Sequence, residues 1–204
     1  MDLNDYPDES ALIEALLAGD KRACAWLVKA HSNQMYGVAL RITGDPSDAE
    51  EVVQDAFISA CNKVIHFEGR SKLSTWLYRI TTNAALMRLR RRREDTVSLD
   101  EPQATDEGET LPRELGDWTV DPSRMALSQE LLQVMEAAVE SLPASLRAAF
   151  VLRDLQGLNT QEAAEALDIT ESALKVRLHR ARLLLRERLA GYLSDSTRNN
   201  VYEQ

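Results

Sequence analysis

The chain has 204 residues, 44% of them hydrophobic, and a formal charge of −9. That length and apolar content allow one or two domains with real cores, and the longest apolar stretches fall far short of the roughly 20 residues a membrane span needs. The acidic N-terminus, MDLNDYPDES, lacks the basic and apolar regions of a signal peptide, so a cytoplasmic protein is expected. With eight Gly, six Pro, long runs of helical periodicity, and no convincing alternating strand or internal repeat, the expected fold is all-α.

The N-terminal part reads as four helices. The first covers about Ser10 to Ala18; Asp20, after Gly19, can cap a second that runs to about Ile42. Gly44-Asp45-Pro46 breaks that helix. A third spans about Ser47 to His66, with Ala49, Val52, Val53, Ala56, Phe57, Ala60 and Val64 on its apolar face. Asp48, Glu50, Glu51 and Asp55 mark its outer surface near the start, where carboxylates suit the helix dipole even without a partner. A polar loop, Glu68-Gly69-Arg70-Ser71-Lys72, follows Phe67. A helix beginning near Ser74 then offers Trp76, Leu77, Ile80, Ala84 and Leu86 to a core. The loop combines a flexible Gly, donors, cations and a neighbouring aromatic, groups that suit an unstacked base, although a surface loop between helices is the ordinary explanation. Cys24 and Cys61 lie in helical patterns without a CxxC or nearby histidines, and read as small buried residues with neither a disulfide nor a metal role.

Charge divides the rest. Residues 88–93, RLRRRR, carry +5, and residues 94–123 carry −9. The overall acidity is therefore a poor guide to nucleic-acid binding. The acidic stretch holds three of the six prolines and little periodicity, and reads as a linker in which Trp118 makes a local docking contact. Residues 1–93 thus form one helical domain, 94–120 the linker, 121–193 a second domain, and 194–204 a short, polar, frayed tail. About 27 linker residues could span roughly 90 Å when fully stretched, enough to place two DNA contacts several duplex turns apart.

The most informative block is TQEAAEALDITESALKVRLHRARLLLRERL, from Thr160 to Leu189. Ala163, Ala164 and Ala166 permit close helix packing, and Asp168-Ile169-Thr170 makes a short break. In the next helix Leu174, Leu178, Ala181, Leu185 and Leu189 form one stripe, leaving Lys175, His179, Arg182 and Arg186 on another face. Six Lys or Arg and one acidic residue between Ser172 and Arg188 give a local charge of +5. A charged stripe is ordinarily a solvated face, but behind a short helix and a tight turn it has the layout of a helix-turn-helix, whose second helix enters the major groove. Cations there release counterions from DNA phosphates.

Taken in order, GDPSDAEEVVQDAFISA, HFEGRSKLSTWLYRITTNAALMRLRRRR, the acidic linker and ESLPASLRAAFVLRDLQGLNTQEAAEALDITESALKVRLHRARLLL resemble an extracytoplasmic-function sigma factor of the sigma-70 superfamily. The resemblance spans roughly Ala11 to Leu193. It implies a four-helix sigma region 2 and a helix-turn-helix sigma region 4, joined by the linker, in a non-enzymatic subunit that directs RNA polymerase to promoters. It assigns Asp48, Glu51, Gln54, Asp55 and Phe57 to core polymerase, whose largest-subunit clamp helices and flap region are the implied partners. Phe67, Glu68, Gly69, Arg70, Ser71, Lys72 and Asn83 fall to capture of a minus-ten base, with Arg79, Arg88, Arg90 and Arg91 steering the backbone. Lys175, Val176, His179 and Arg180 fall to the minus-thirty-five element, with Arg153, Thr160, Arg177 and Arg182 on phosphates. Val176 and Ala173 depart from the small polar residue and the Thr of many relatives, which bears on the DNA sequence read and not on the fold. The resemblance further implies an anti-sigma protein as regulator, association with the nucleoid in the holoenzyme, no cofactor and no metal. The alternative is a helix-turn-helix regulator working without polymerase, which usually needs a dimerisation or sensor domain to match paired half-sites. A helical adaptor binding only proteins would leave both basic surfaces idle.

Overall fold

The structure, a computed structural model, describes residues 6, 8–67, 69, 71–96 and 129–199, with side chains described except at 94–96, 129–131 and 191–199. Among the described residues the fold is all-α. Helices α1 (Glu9–Leu17), α2 (Lys21–Thr43), α3 (Pro46–Lys63) and α4 (Leu73–Thr96) form the N-terminal half, with a tight turn at Val64–His66 before α4. Helices α5 (Gln129–Glu140), α6 (Ala144–Phe150), α7 (Thr160–Leu167) and α8 (Glu171–Asn199) form the C-terminal half, with a wide helical turn at Val151–Leu155 after α6. Glu68, Arg70, Trp118 and the linker from residue 97 to 120 lie outside the described residues.

Local chemistry sets the boundaries. Asp20 accepts from the Arg22 amide at 2.8 Å and starts α2, and Gly44, at φ 71°, stops it in the left-handed conformation that a Cβ disfavours. Asp45 then caps α3 by accepting from the Asp48 amide at 2.9 Å, with Pro46 in the first turn, where no amide hydrogen is needed. α7 opens with a capping box: Asn159 accepts from the Glu162 amide at 2.9 Å, and Glu162 accepts from the Asn159 amide at 3.0 Å. Asp168, at φ 56°, closes α7, and the Thr170 hydroxyl caps α8 by accepting from the Ala173 amide at 3.1 Å. One cap comes from a distance: Glu9 of α1 accepts from the Leu73 amide at 2.8 Å and tethers the start of α4.

The expected apolar stripes are the ones buried. Ala49, Val52, Ala56, Phe57, Ala60 and Val64 of the third helical stretch are buried, as are Leu174, Leu178, Ala181 and Leu185 of α8. One cluster runs through both halves, from Leu27, Met35 and Ile42 of α2 through Leu73, Leu77 and Tyr78 of α4 to Ala163, Ala164, Leu167 and Leu174. A second, joining Leu142, Leu146, Ala181 and Leu185, belongs to the C-terminal half alone.

Four features differ from the sequence reading. Asp48 is 6% exposed and so does not mark an outer surface, because α3 turns its first-turn carboxylate towards α4. Phe67 is buried with its ring 5.3 Å from that of Trp76, so it offers no free aromatic face beside the loop, whereas Phe57 is buried on the apolar face expected of it. α8 continues as helix to Asn199, through much of the stretch read as a frayed tail. Cys24 and Cys61, read as buried residues without a disulfide role, are half-buried and face each other across the antiparallel α2–α3 pair with their Cα atoms 6.0 Å apart.

Leu174 is fully buried where both halves meet, so Leu174→Ala should cost about 2–5 kcal/mol in urea unfolding. Arg186→Ala, on the exposed side of the same helix, should stay within about 0.5 kcal/mol of the parent.

Candidate nucleic-acid interface

A groove of about 490 Å³ runs between α3 and α4, lined by Glu51 and Asp55 on one side and by Arg79, Asn83, Arg88 and Arg91 on the other. The acids expected to meet polymerase and the groups expected to meet DNA are thus opposite walls of one groove. Its upper end is held by an ion-pair joint. Arg88 donates from Nε to Asp48 Oδ1 at 2.8 Å and from Nη1 to Glu51 Oε2 at 2.6 Å, and Arg92 Nη1 donates to Asp48 Oδ2 at 3.2 Å. The Asp48 carboxylate beside it raises Arg88 above its ordinary pKa, so the arginine stays charged. Arg88 therefore joins α3 to α4, and Asp48 sits behind the face on which Glu51, Gln54 and Asp55 are exposed. Arg90, Arg91 and Arg93 are exposed on α4.

The loop and its helix meet the helix-turn-helix. Lys72 Nζ lies 3.0 Å from Glu162 Oε1, and Arg79 Nη2 lies 2.9 Å from Asp168 Oδ1. Behind them the buried Tyr78 hydroxyl accepts from Gln34 of α2 and donates to Gln156 Oε1 at 3.3 Å, a polar bridge through the joint between halves. Ser71, Thr75, Trp76 and Arg79 face Ala164 to Thr170 across a second cleft. Two residues assigned to the minus-ten element, Lys72 and Arg79, are thus paired with carboxylates of the other half while remaining exposed. Gly69 is exposed with φ 68°, and Asn83 is exposed one turn beyond Arg79.

On α8, Lys175 is exposed while Val176, Arg177, His179 and Arg180 are half-buried on adjacent positions of the helix. Arg182 points elsewhere: it makes a two-pronged contact with Asp154, at 3.0 and 2.8 Å, which holds α8 to the wide turn after α6. That carboxylate raises Arg182 above its ordinary pKa. Arg153 is half-buried on the same turn, and Thr160 half-buried in the first turn of α7. The partners Asp154, Gln34, Gln156 and Glu9 are all tertiary, with no signature in the chain around them. Glu162 had one, since Asn159 and Glu162 have capping-box spacing.

The family model of Sigma-70 region 2 matches residues 27–94, and that of Sigma-70, region 4 matches residues 132–185. The chain is 33% identical over 177 residues to the ECF RNA polymerase sigma factor SigW of Bacillus subtilis (strain 168), covering 87% of this chain and 94% of that protein. This chain belongs to the ECF sigma factors of the sigma-70 family. It is 35% identical over 185 residues to the ECF RNA polymerase sigma-E factor of Escherichia coli (strain K12), covering 88% of this chain and 93% of that one. The fold is similar to that of CnrH in complex with the cytosolic domain of CnrY, with TM-score 0.63 at 23% identity over 90% of this chain and 97% of CnrH. It is also similar to the sigma factor RpoE in complex with the anti-sigma factor NepR from Bartonella quintana, with TM-score 0.57 at 26% identity over 80% and 94%. The sigma factor therefore acts in transcription initiation as a non-catalytic subunit of RNA polymerase. Among the described residues no helix is long and apolar enough to cross a membrane.

Glu162 belongs to both the α7 cap and the contact with Lys72. The Asn159 amide first, and the Lys72 ammonium second, hold its carboxyl below the ordinary value of 4.5. The unfolded chain therefore binds this proton more readily than the folded one, so the contribution is present above the ordinary carboxylate range and is lost as pH falls below it. Urea midpoints measured from pH 7 down to about 3 should drop less steeply for Glu162→Gln than for the parent.

Proposed function

We propose that this sigma factor grips a promoter at two points, with α8 on the upstream element and the α3–α4 groove on the downstream one. The observation carrying this reading is the presence of two cationic surfaces on separate halves, α8 around Lys175 and α4 from Arg79 to Arg91. Lys175 and Arg180 can donate to guanine acceptors, His179 can donate or accept, and Val176 offers apolar contact, for instance to a thymine methyl. Arg153, Thr160 and Arg177 supply phosphate contacts, joined by Arg182 when it leaves Asp154. Asn83, Ser71, Lys72 and the Glu68–Arg70 loop take the displaced base, while Arg79, Arg90 and Arg91 steer the strand. Glu51, Gln54 and Asp55 dock on the clamp helices of core polymerase. An anti-sigma protein regulates access, a reading supported by the similar RpoE–NepR complex. A regulator acting without polymerase is disfavoured by the match of both sigma regions in order.

Transcription reconstituted with core polymerase and genomic promoter fragments should start at discrete sites only when this chain is added. No initiation from any fragment would overturn the reading. Lys175→Ala and Arg180→Ala should each lower promoter use about tenfold, the scale of one base contact, without lowering the unfolding temperature.

The packed arrangement pairs Lys72 with Glu162 and Arg79 with Asp168 while leaving both cations exposed, so a DNA strand at the downstream site must displace these two contacts. The double variant Glu162→Gln with Asp168→Asn should bind a single-stranded minus-ten oligonucleotide about threefold more tightly in fluorescence anisotropy, as expected for two weak surface pairs. Glu165→Gln removes one negative charge from α7 at a carboxylate bonded to Gln161 and part of neither pair, and should change binding by less than half as much.

A further inference from the structure

Cys24 and Cys61 are the two cysteines of the chain, separated by 37 residues. Cys24 lies near the start of α2 and Cys61 near the end of α3, and the Gly44-Asp45 turn joins the opposite ends of these antiparallel helices. Their Cα atoms are 6.0 Å apart, within the span a disulfide accepts without backbone movement. Both are half-buried, within reach of small solutes. Transcription takes place where thiols are kept reduced, and a bridge in such a compartment is usually transient, forming in response to oxidant. The sequence holds no third cysteine, so this is the only disulfide that can form within it.

We propose that Cys24 and Cys61 are a peroxide-responsive pair that reversibly staples α2 to α3. One thiolate attacks the peroxide O–O bond, giving a sulfenic acid and releasing the alcohol, or water when the oxidant is hydrogen peroxide. The second thiolate then attacks that sulfur, the S–S bond forms and water leaves. The peroxide takes up the two electrons that the two thiols lose. A dithiol reductant reverses the step by exchange and is itself oxidised to its disulfide. The consequence falls on the downstream half of the promoter grip. Cys61 is six residues before Phe67, and between them runs the tight turn Val64–His66 that leads into the loop before α4. Bridging fixes the last turn of α3 and so stiffens the root of that loop, while the polymerase-facing acids lie further up the same helix.

The full-length chain, reduced and freed of reductant, is treated with equimolar hydrogen peroxide and then alkylated. Intact-mass and peptide analysis should show loss of both free thiols, a Cys24–Cys61 crosslinked peptide, and full reversal by dithiothreitol. Amide hydrogen exchange across residues 62–72 should slow in the oxidised chain. Exchange in Cys24→Ser and Cys61→Ser, both small substitutions at half-buried positions, should be unchanged by the same treatment. In cells, acid quenching followed by alkylation should find the thiols free before a peroxide pulse and bridged after it. Thiols that stay alkylatable after peroxide, a sulfinic acid or intermolecular dimer as the main product, or a bridge complete in unstressed cells would each overturn the proposal. So would bridging that leaves exchange at 62–72 unchanged. None of these readouts uses promoter DNA, so the pair can fail or stand apart from the two-point reading above.

Discussion

The close approach of α7 to α4 is the constraint on which the rest of the structure depends. It is made possible by Ala163, Ala164 and Ala166, all buried, whose short side chains let Leu73, Leu77 and Tyr78 of α4 lie in the same core as Leu167 and Leu174. The ion pairs around this contact cannot be what holds it. The Lys72 side chain is 71% exposed, and the Arg79 and Asp168 side chains are 47% and 74% exposed, a setting in which each pair contributes about 0–1 kcal/mol. Apolar burial at about 25 cal/mol per Å² outweighs that with the area of a single leucine. The pairs therefore choose the register in which α7 sits, and the alanine face supplies the adhesion. The Tyr78 hydroxyl adds a second selection, since a shifted register would leave a buried polar group unpaired at about 1–3 kcal/mol.

This division of labour explains which parts were legible in the chain. The capping residue Asp20, the Gly44-Asp45-Pro46 break, the stripe from Ala49 to Val64 and the stripe from Leu174 to Leu185 follow from periods and caps that act over a few residues, and the helices end within a few residues of the expected positions. The small residues of α7 were legible as a packing surface, but not their partner, because nothing within the segment names α4. Asp48 was misplaced for a related reason. A carboxylate in the first turn of a helix is favourable facing solvent or facing a cation, and only the fold shows that Arg88 and Arg92 lie opposite. The same holds for Cys24 and Cys61, whose meeting depends on the length of the α2–α3 hairpin and not on any local motif.

The basic residues, which look equivalent in sequence, fall into distinct groups. Arg88, Arg92 and Arg182 are engaged by Asp48 and Asp154, two carboxylates far less exposed than the arginines they hold. These joints fix α3 on α4 and α8 on the turn after α6, so they shape the two surfaces. Lys72 and Arg79 form a second group, paired through exposed contacts that a phosphate can replace at little cost. Arg90, Arg91 and Lys175 form a third, exposed and set along helices whose positions the first group has fixed. A local charge of +5 on residues 88–93 and again on 172–188 thus divides between cations engaged in structural joints and cations left exposed on the helices those joints position.

Arg147 shows the cost of bringing the halves together. It sits on α6 with one terminal nitrogen 3.6 Å from where a Cβ on Gly44 would be, an ordinary contact distance, so the C-terminal half packs against the end of α2 at a glycine required by its φ and not by lack of room. Burial lowers the pKa of this guanidinium, opposed by Glu140, and its Nε has no protein partner among the described residues. A buried donor left in this state opposes the packed arrangement, whereas separation of the halves would return it to water. The packing of the two halves is therefore favoured by apolar area between α7 and α4 and opposed at Arg147, so it is weaker than the buried apolar area alone would make it.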